Sequence, residues 1–157
     1  MARKIPVRLL EHLAQAGVAY QIIHHPVAYT AQELAAIEGV KGRSHAKVVI
    51  LHAGQIIMAV LPSDLRINFD ALGQLLGHPV RMATETEIQT AFPDCEVGTM
   101  PPFGHLYDVP MYLDETLAQT ELIVFEAGTH SDAIKMRYTD YAHLAQPTLA
   151  NFAVKTP

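Results

Sequence analysis

An α+β fold with a mixed sheet follows from two features of the chain. The first is AKVVILHAGQIIMAVLP, residues 46–62, where two apolar, β-branched runs flank His52-Ala-Gly-Gln55. That pattern is a hairpin at or near the centre of a core. The second is that helical and strand patterns mix without the regular βαβ alternation of a parallel sheet. A length of 157 residues fits one domain, 1–157, with one real core. No repeat, low-complexity tract or linker divides it.

The elements then follow in order. Pro6 suits the start of a helix, Leu9, Leu10 and Leu13 form its stripe, and Gly17 stops it. VAYQIIHH is a short strand ended by Pro26. TAQELAAIEG opens with a capping box, Thr30 to Glu33, and closes at Gly39. Between Asn68 and Gly77, Phe69, Leu72, Leu75 and Leu76 are expected to face inward from a helix. The capping device recurs at Thr84 and Glu87, and Pro93 ends that helix. VPMYLD, ELIVFEAG and DAIKMRY are further strands, and Tyr141 to Ala145 form a last helical turn.

Composition narrows the function. Half the residues are hydrophobic and 17% are charged, as in a folded soluble protein. The single cysteine, Cys95, excludes an intrachain disulfide framework and a multi-thiolate zinc site, and it suits a reducing cytoplasm. The longest uncharged run, Val48 to Ser63, is too punctuated to span a membrane. A net charge of −5 argues against gripping long nucleic acid, DNA included, by counterion release. Yet Lys41, Arg43 and Lys47 cluster with His45 in VKGRSHAK, where a nucleic-acid end or one phosphate could dock. A solvated loop would carry the same cations.

Several tempting constellations fail. His24 and His25 are neighbours, so on a strand they point to opposite faces and cannot share a metal. Nothing in the sequence brings Cys95 to His105, and a buried cysteine is the better reading. GTHSD, residues 128–132, holds triad-like types, but sequence neighbours rarely form a working triad, so it reads as a turn. No phosphate-binding glycine loop, dinucleotide fingerprint or H-E-x-x-H is present.

Two features remain. Lys47 stands immediately before a buried strand, either snorkelling to solvent or aimed into a cleft as a point charge. CEVGTMPPFGHL, residues 95–106, combines glycines that allow close backbone approach with prolines that fix the loop in advance. Its amides at Gly98 and Thr99 are candidate donors to a carbonyl. Long irregular loops in small domains tend to be functional.

AKVVIL, then DCEVGTMPPFGHLYDVPMYLDETL, then VFEAGTHSDAIKM, in that order and spacing, resemble the YbaK/EbsC family of prolyl-tRNA synthetase-associated editing domains. The resemblance runs from His24-His25-Pro26 to about Pro147. It implies a partly barrel-like sheet flanked by helices. It also implies trans-acting hydrolysis of the ester joining a wrong amino acid to the tRNA 3′-terminal adenosine. The mechanism would be substrate-assisted, with no cofactor, no metal and no protein nucleophile. Lys47 would hold the phosphate or ribose of that adenosine. Gly98, Thr99, Met100, Pro101 and Pro102 would cradle it, with Gly98 backbone at the scissile carbonyl. Tyr20, His24, Val27, Tyr29, Met100, His130 and Asp132 would shape the amino-acid pocket, sized for alanine, serine, cysteine or threonine. One methylene gives only ~1–3 kcal/mol of discrimination. Val48 follows Lys47 where several members carry a hydroxyl residue. The partners implied are an aminoacyl-tRNA acceptor end and an aminoacyl-tRNA synthetase. The rival reading is a non-catalytic module that binds a tRNA end, a nucleotide or a synthetase.

Overall fold

The computed structural model describes residues 4–25 and 44–156. The expected helix with the Thr30–Glu33 capping box, and the pocket residues Val27 and Tyr29, lie outside the described residues, as do Lys41 and Arg43. Helix α1, Val7–Ala16, begins after Pro6 and stops at Gly17, whose φ of 68° is a left-handed cap. It buries Leu9 and Leu13, one turn apart on one face. Each fully buried leucine contributes about 2 kcal/mol.

The hairpin lies where the sequence places it. Strands β2 (Ala46–His52) and β3 (Ile56–Pro62) pair antiparallel around a Gly54 turn. Their side chains alternate between two cores. Ala46, Val48 and Ile50 face the larger one, with Met58 and Val60. Val49 and Leu51 face the smaller one, with Ile57, Ala59 and Leu61.

Around this pair the sheet is mixed. β6 (Met111–Asp114) runs parallel to β3, and β9 (Thr148–Ala150) runs parallel to β6. β5 (Arg81–Met82) pairs with the far edge of β2. A second sheet has the order β1 (Tyr20–His24), β8 (Asp132–Arg137), β7 (Leu122–Thr129), antiparallel throughout. The sheets join where Val124 N–H donates to Ser44 O at 3.0 Å and His45 bridges Val124 in parallel. This corner is the barrel-like feature, and no closed barrel forms among the described residues. A ribbon of β4 (Leu65–Ile67) and β10 (Ala153–Lys155) covers the smaller core.

Helix α2, Phe69–Leu76, is capped by Asn68 and Gly77. Only its central ridge is inward: Leu72 is fully buried, whereas Phe69 is 39% and Leu75 56% exposed. A two-turn helix lying on the edge of the ribbon meets it along one line, so its flanking apolar residues overhang. Helix α3, Glu85–Ala91, shows both halves of its capping box: Glu87 N–H donates to Thr84 Oγ1 and Thr84 N–H to Glu87 Oε1. The last helical turn is a full helix, α4, Tyr138–Ala145, which buries Tyr138, Tyr141 and Ala145.

Candidate active site

The segment 95–106 is held from below. Pro101, Pro102 and Phe103 are buried. Phe103 stacks edge-on against Phe125 and Tyr141 at centroid distances of 5.6 and 5.3 Å. The Tyr141 hydroxyl donates to Pro102 O at 2.8 Å. Gly104 is required, because a Cβ there would meet Val109 O at 2.4 Å. The prolines thus fix a loop whose underside is core.

β7 fixes its other end. The β7–β8 register shifts between Glu126 and Thr129, a bulge carrying Gly128 at φ +89°. Glu96 N–H donates to Gly128 O at 2.9 Å, and Gly128 N–H donates to Thr99 O at 2.8 Å. A Cβ on Gly128 would lie 2.4 Å from Pro6 Cδ, so α1, β7 and the loop converge there.

Gly98 tops this support. It is exposed, with φ +90°, and its N–H donates to nothing among the described residues. Thr99 differs from the sequence expectation. Its N–H and its hydroxyl both donate to Glu96 O, at 3.2 and 2.6 Å, so this buried residue braces the loop instead of offering a donor. Met100 is 2% exposed and belongs to the larger core.

Beside the loop, the β7–β8 turn is tied by Thr129, whose hydroxyl donates to Asp132 Oδ2 at 2.6 Å and accepts from Ser131 N–H. His24 Nδ1 lies 2.8 Å from Asp132 Oδ1. Burial would raise the Asp132 pKa, but the hydrogen bonds from Thr129 and His24 outweigh it and hold the carboxyl below its usual value. His130 stands at the tip of this turn. A Cβ built on Gly98 would lie 4.0 Å from its Cε1, and its Nε2 is 3.7 Å from Glu96 Oε2.

His24 and His25 part as strand geometry requires. The His24 side chain is exposed, while His25 is 3% exposed with Nε2 3.8 Å from Glu126 Oε2. His45, equally buried, places Nε2 3.8 Å from Glu126 Oε1. The His25–Glu126–His45 cluster was not foreseen, because its members stand far apart in sequence. Tyr20 pairs with Met136 across β1–β8 and packs on the larger core.

Lys47 leaves β2 on the face of Val49 and Leu51, and its Nζ donates to Leu65 O at 2.7 Å. Partial burial lowers its pKa, with Asp64 nearby opposing the shift. No hydrogen bond among the described residues joins it to the 98–102 loop. β7 relates the two: Glu126 neighbours His45, two residues before Lys47, and Gly128 carries the loop.

Cys95 is a core residue. It is 5% exposed, lies 3.3 Å from the Tyr107 hydroxyl, and burial pushes its thiol up to about 11. His105 instead meets His12, Nε2 to Nε2 at 3.3 Å. Neither forms a nucleophile–base pair. Two open clefts around His78, on α2 and the hairpin turn, contain none of the candidate residues. No group of three or more His, Cys, Asp or Glu at metal-binding spacing occurs among the described residues.

The fold and the loop on β7 define an editing-type domain, and comparison with known proteins agrees. The chain belongs to the aminoacyl-tRNA editing domain family, whose profile matches residues 25–144. By class it is therefore an aminoacyl-tRNA deacylase, a hydrolase of aminoacyl-tRNA esters. It is similar to the Escherichia coli K12 multifunctional Ser/Thr-tRNA deacylase ProXp-y, 24% identical over 152 residues, 92% of this chain and 90% of that protein. An uncharacterised Bacillus subtilis protein, YwhH, is 30% identical over 84 residues, 52% of each chain. A crystal structure described as a candidate trans-editing enzyme for prolyl-tRNA synthetase superposes with a TM-score of 0.83 at 22% identity, covering 96% of both chains. At that identity the superposition speaks for the fold alone.

Proposed function

We propose that this protein hydrolyses, in trans, the ester of a small hydroxyl-bearing amino acid on the 3′-terminal adenosine of a tRNA. Serine and threonine are the leading substrates; alanine and cysteine come next. The observation that carries the reading is Gly98: an exposed glycine at positive φ, with an uncommitted amide, on a loop fixed by Gly128 and Tyr141. A donor held rigid before the substrate arrives stabilises charge developing on a carbonyl oxygen without reorganisation. Lys47 would contribute a cation to the phosphate or ribose of the adenosine, and Met100, Pro101 and Pro102 would fix the loop against which it rests.

The choice of serine and threonine rests on the polar Thr129–Asp132–His24 chain beside the loop, together with the activity named for the Escherichia coli relative. A site built to hydrogen-bond a hydroxyl discriminates far better than a site that only measures size. A synthetase is a further partner under this reading, supplying the mischarged tRNA. The test is a panel of seryl-, threonyl-, alanyl- and cysteinyl-tRNAs, each followed for loss of the ester. Turnover of the first two fits the proposal. Binding of acceptor ends without loss of any ester would leave only the non-catalytic module.

A further inference from the structure

His130 and Glu96 form a pair that the editing reading has not used. Three observations bring them to the reacting centre. The Cε1 corner of the His130 ring, between its two nitrogens, is the nearest group to the point where a Gly98 Cβ would stand, at 4.0 Å. Glu96 Oε2 is 3.7 Å from His130 Nε2. Both residues are held by backbone rather than by chance rotamers. Glu96 N–H is bonded to Gly128 O and Glu96 O receives both Thr99 donors, while the Thr129–Asp132 hydrogen bond sets the turn carrying His130. The ring is still 45% exposed, so water and substrate reach it.

We propose that His130 is the general base and then the general acid of ester hydrolysis at Gly98, with Glu96 as its positioning residue. This rests on the deacylase reading above. The Glu96 carboxylate opposite Nε2 favours the proton on that nitrogen, which leaves the Nδ1 lone pair beside Gly98. Nδ1 takes a proton from water as the water oxygen bonds to the ester carbonyl carbon. The carbonyl π electrons move to oxygen, next to the Gly98 amide. When the tetrahedral species collapses, the bond from carbon to the ribose oxygen breaks and the imidazolium returns its proton to that oxygen. Free amino acid and a tRNA hydroxyl result, and the imidazole is restored neutral. No oxidant, metal or covalent enzyme intermediate enters.

The experiment uses the full chain, seryl- and threonyl-tRNA, and single-turnover deacylation, with Tm recorded for each variant. His130→Ala is expected to keep its Tm and lose ~10²-fold or more of the rate, the lower range for acid–base catalysis. Added imidazole should restore part of it in a concentration-dependent way. Glu96→Gln should lower kcat by less and leave KM unchanged. Combined with His130→Ala it should cost nothing further, because an orienting group has no effect once the ring is gone. An unchanged rate in His130→Ala overturns the assignment while leaving the deacylase reading intact. So does a folded, slow His130→Ala that imidazole does not rescue, or a further loss in the double variant. A wild-type chain inactive on every ester overturns both.

Discussion

Lys47 and Gly98 make opposite demands on their surroundings, and substitutions separate them. The lysine ammonium is half-buried and gives one proton to Leu65 O, so two remain for a ligand. Lys47→Ala removes one hydrogen bond, worth about 1 kcal/mol. A Tm within a few degrees of wild type is therefore expected, with deacylation lost. Loss of the cooperative melt would instead make Lys47 a structural residue. Gly98→Ala meets no wall, since its nearest neighbour is 4.0 Å away, but φ of +90° is strained for any residue with a Cβ. The expected cost is about 1–2 kcal/mol, and deacylation should fall at least tenfold, read against the Tm shift. Cys95 is the reverse case. Its sequence setting invites a nucleophile, but its place against Tyr107 and its raised pKa make it a packing residue, as the burial habit of cysteine suggests. Residue chemistry was legible for Cys95 and for Gly98, whereas the use of the Thr99 donors within the loop was not. A hydrogen bond across three residues depends on loop geometry that composition does not encode.

Among the elements, the β7 bulge and the C-terminal ribbon carry the arrangement. Gly128→Ala would drive a Cβ into Pro6 at a left-handed φ, and both faults fall at one position. A loss of about 3 kcal/mol or more is expected in urea unfolding. A change under 1 kcal/mol would show that α1 is free to move away. Asp114, fully buried at the end of β6, accepts from Phe152 N–H at 2.9 Å and Ala153 N–H at 2.8 Å, and also from Thr116. Burial alone would raise its pKa, but these donors prevail and hold it below the usual carboxylate value. A depressed folded pKa stabilises above the unfolded value and loses that contribution as pH falls through the folded one. Asp114→Asn should therefore cost about 2–3 kcal/mol near neutral pH. The gap to wild type should narrow below about pH 4. A gap that stays constant with pH would contradict the role of the charge. The long strands, the capping box at Thr84 and the helix caps at Gly17 and Gly77 could be read in sequence, because periodicity and cap chemistry are local. β4, β5, β9 and β10 could not: runs of two or three residues have no period, and only pairing with distant partners makes them strands. The overhang of Phe69 and Leu75 was hidden for the same reason.

At the scale of the whole molecule, the chain joins two sheets at one corner, Ser44–His45 against Val124, and places the candidate groups along the strand that makes the corner. The net charge of −5 fits a protein that holds an acceptor end rather than a long duplex. No helix among the described residues is long and apolar enough to cross a membrane. Rate at low substrate should fall with added salt by a shallow slope, because only one or two phosphates meet a cation. A steep dependence, of the kind shown by proteins with many phosphate contacts, would mean a larger tRNA footprint than this reading allows. The family could be recognised because the lysine, the Gly98–Pro102 loop and the β7–β8 hairpin keep their order and spacing. The supporting cluster of His25, His45 and Glu126 could not, since only the fold unites it. The most direct measurement is the time course of ester loss from seryl- and threonyl-tRNA with the wild-type protein beside Gly98→Ala and Lys47→Ala. The account predicts turnover by wild type and strong loss in both folded variants; no ester loss by wild type on any aminoacyl-tRNA of the panel would contradict it.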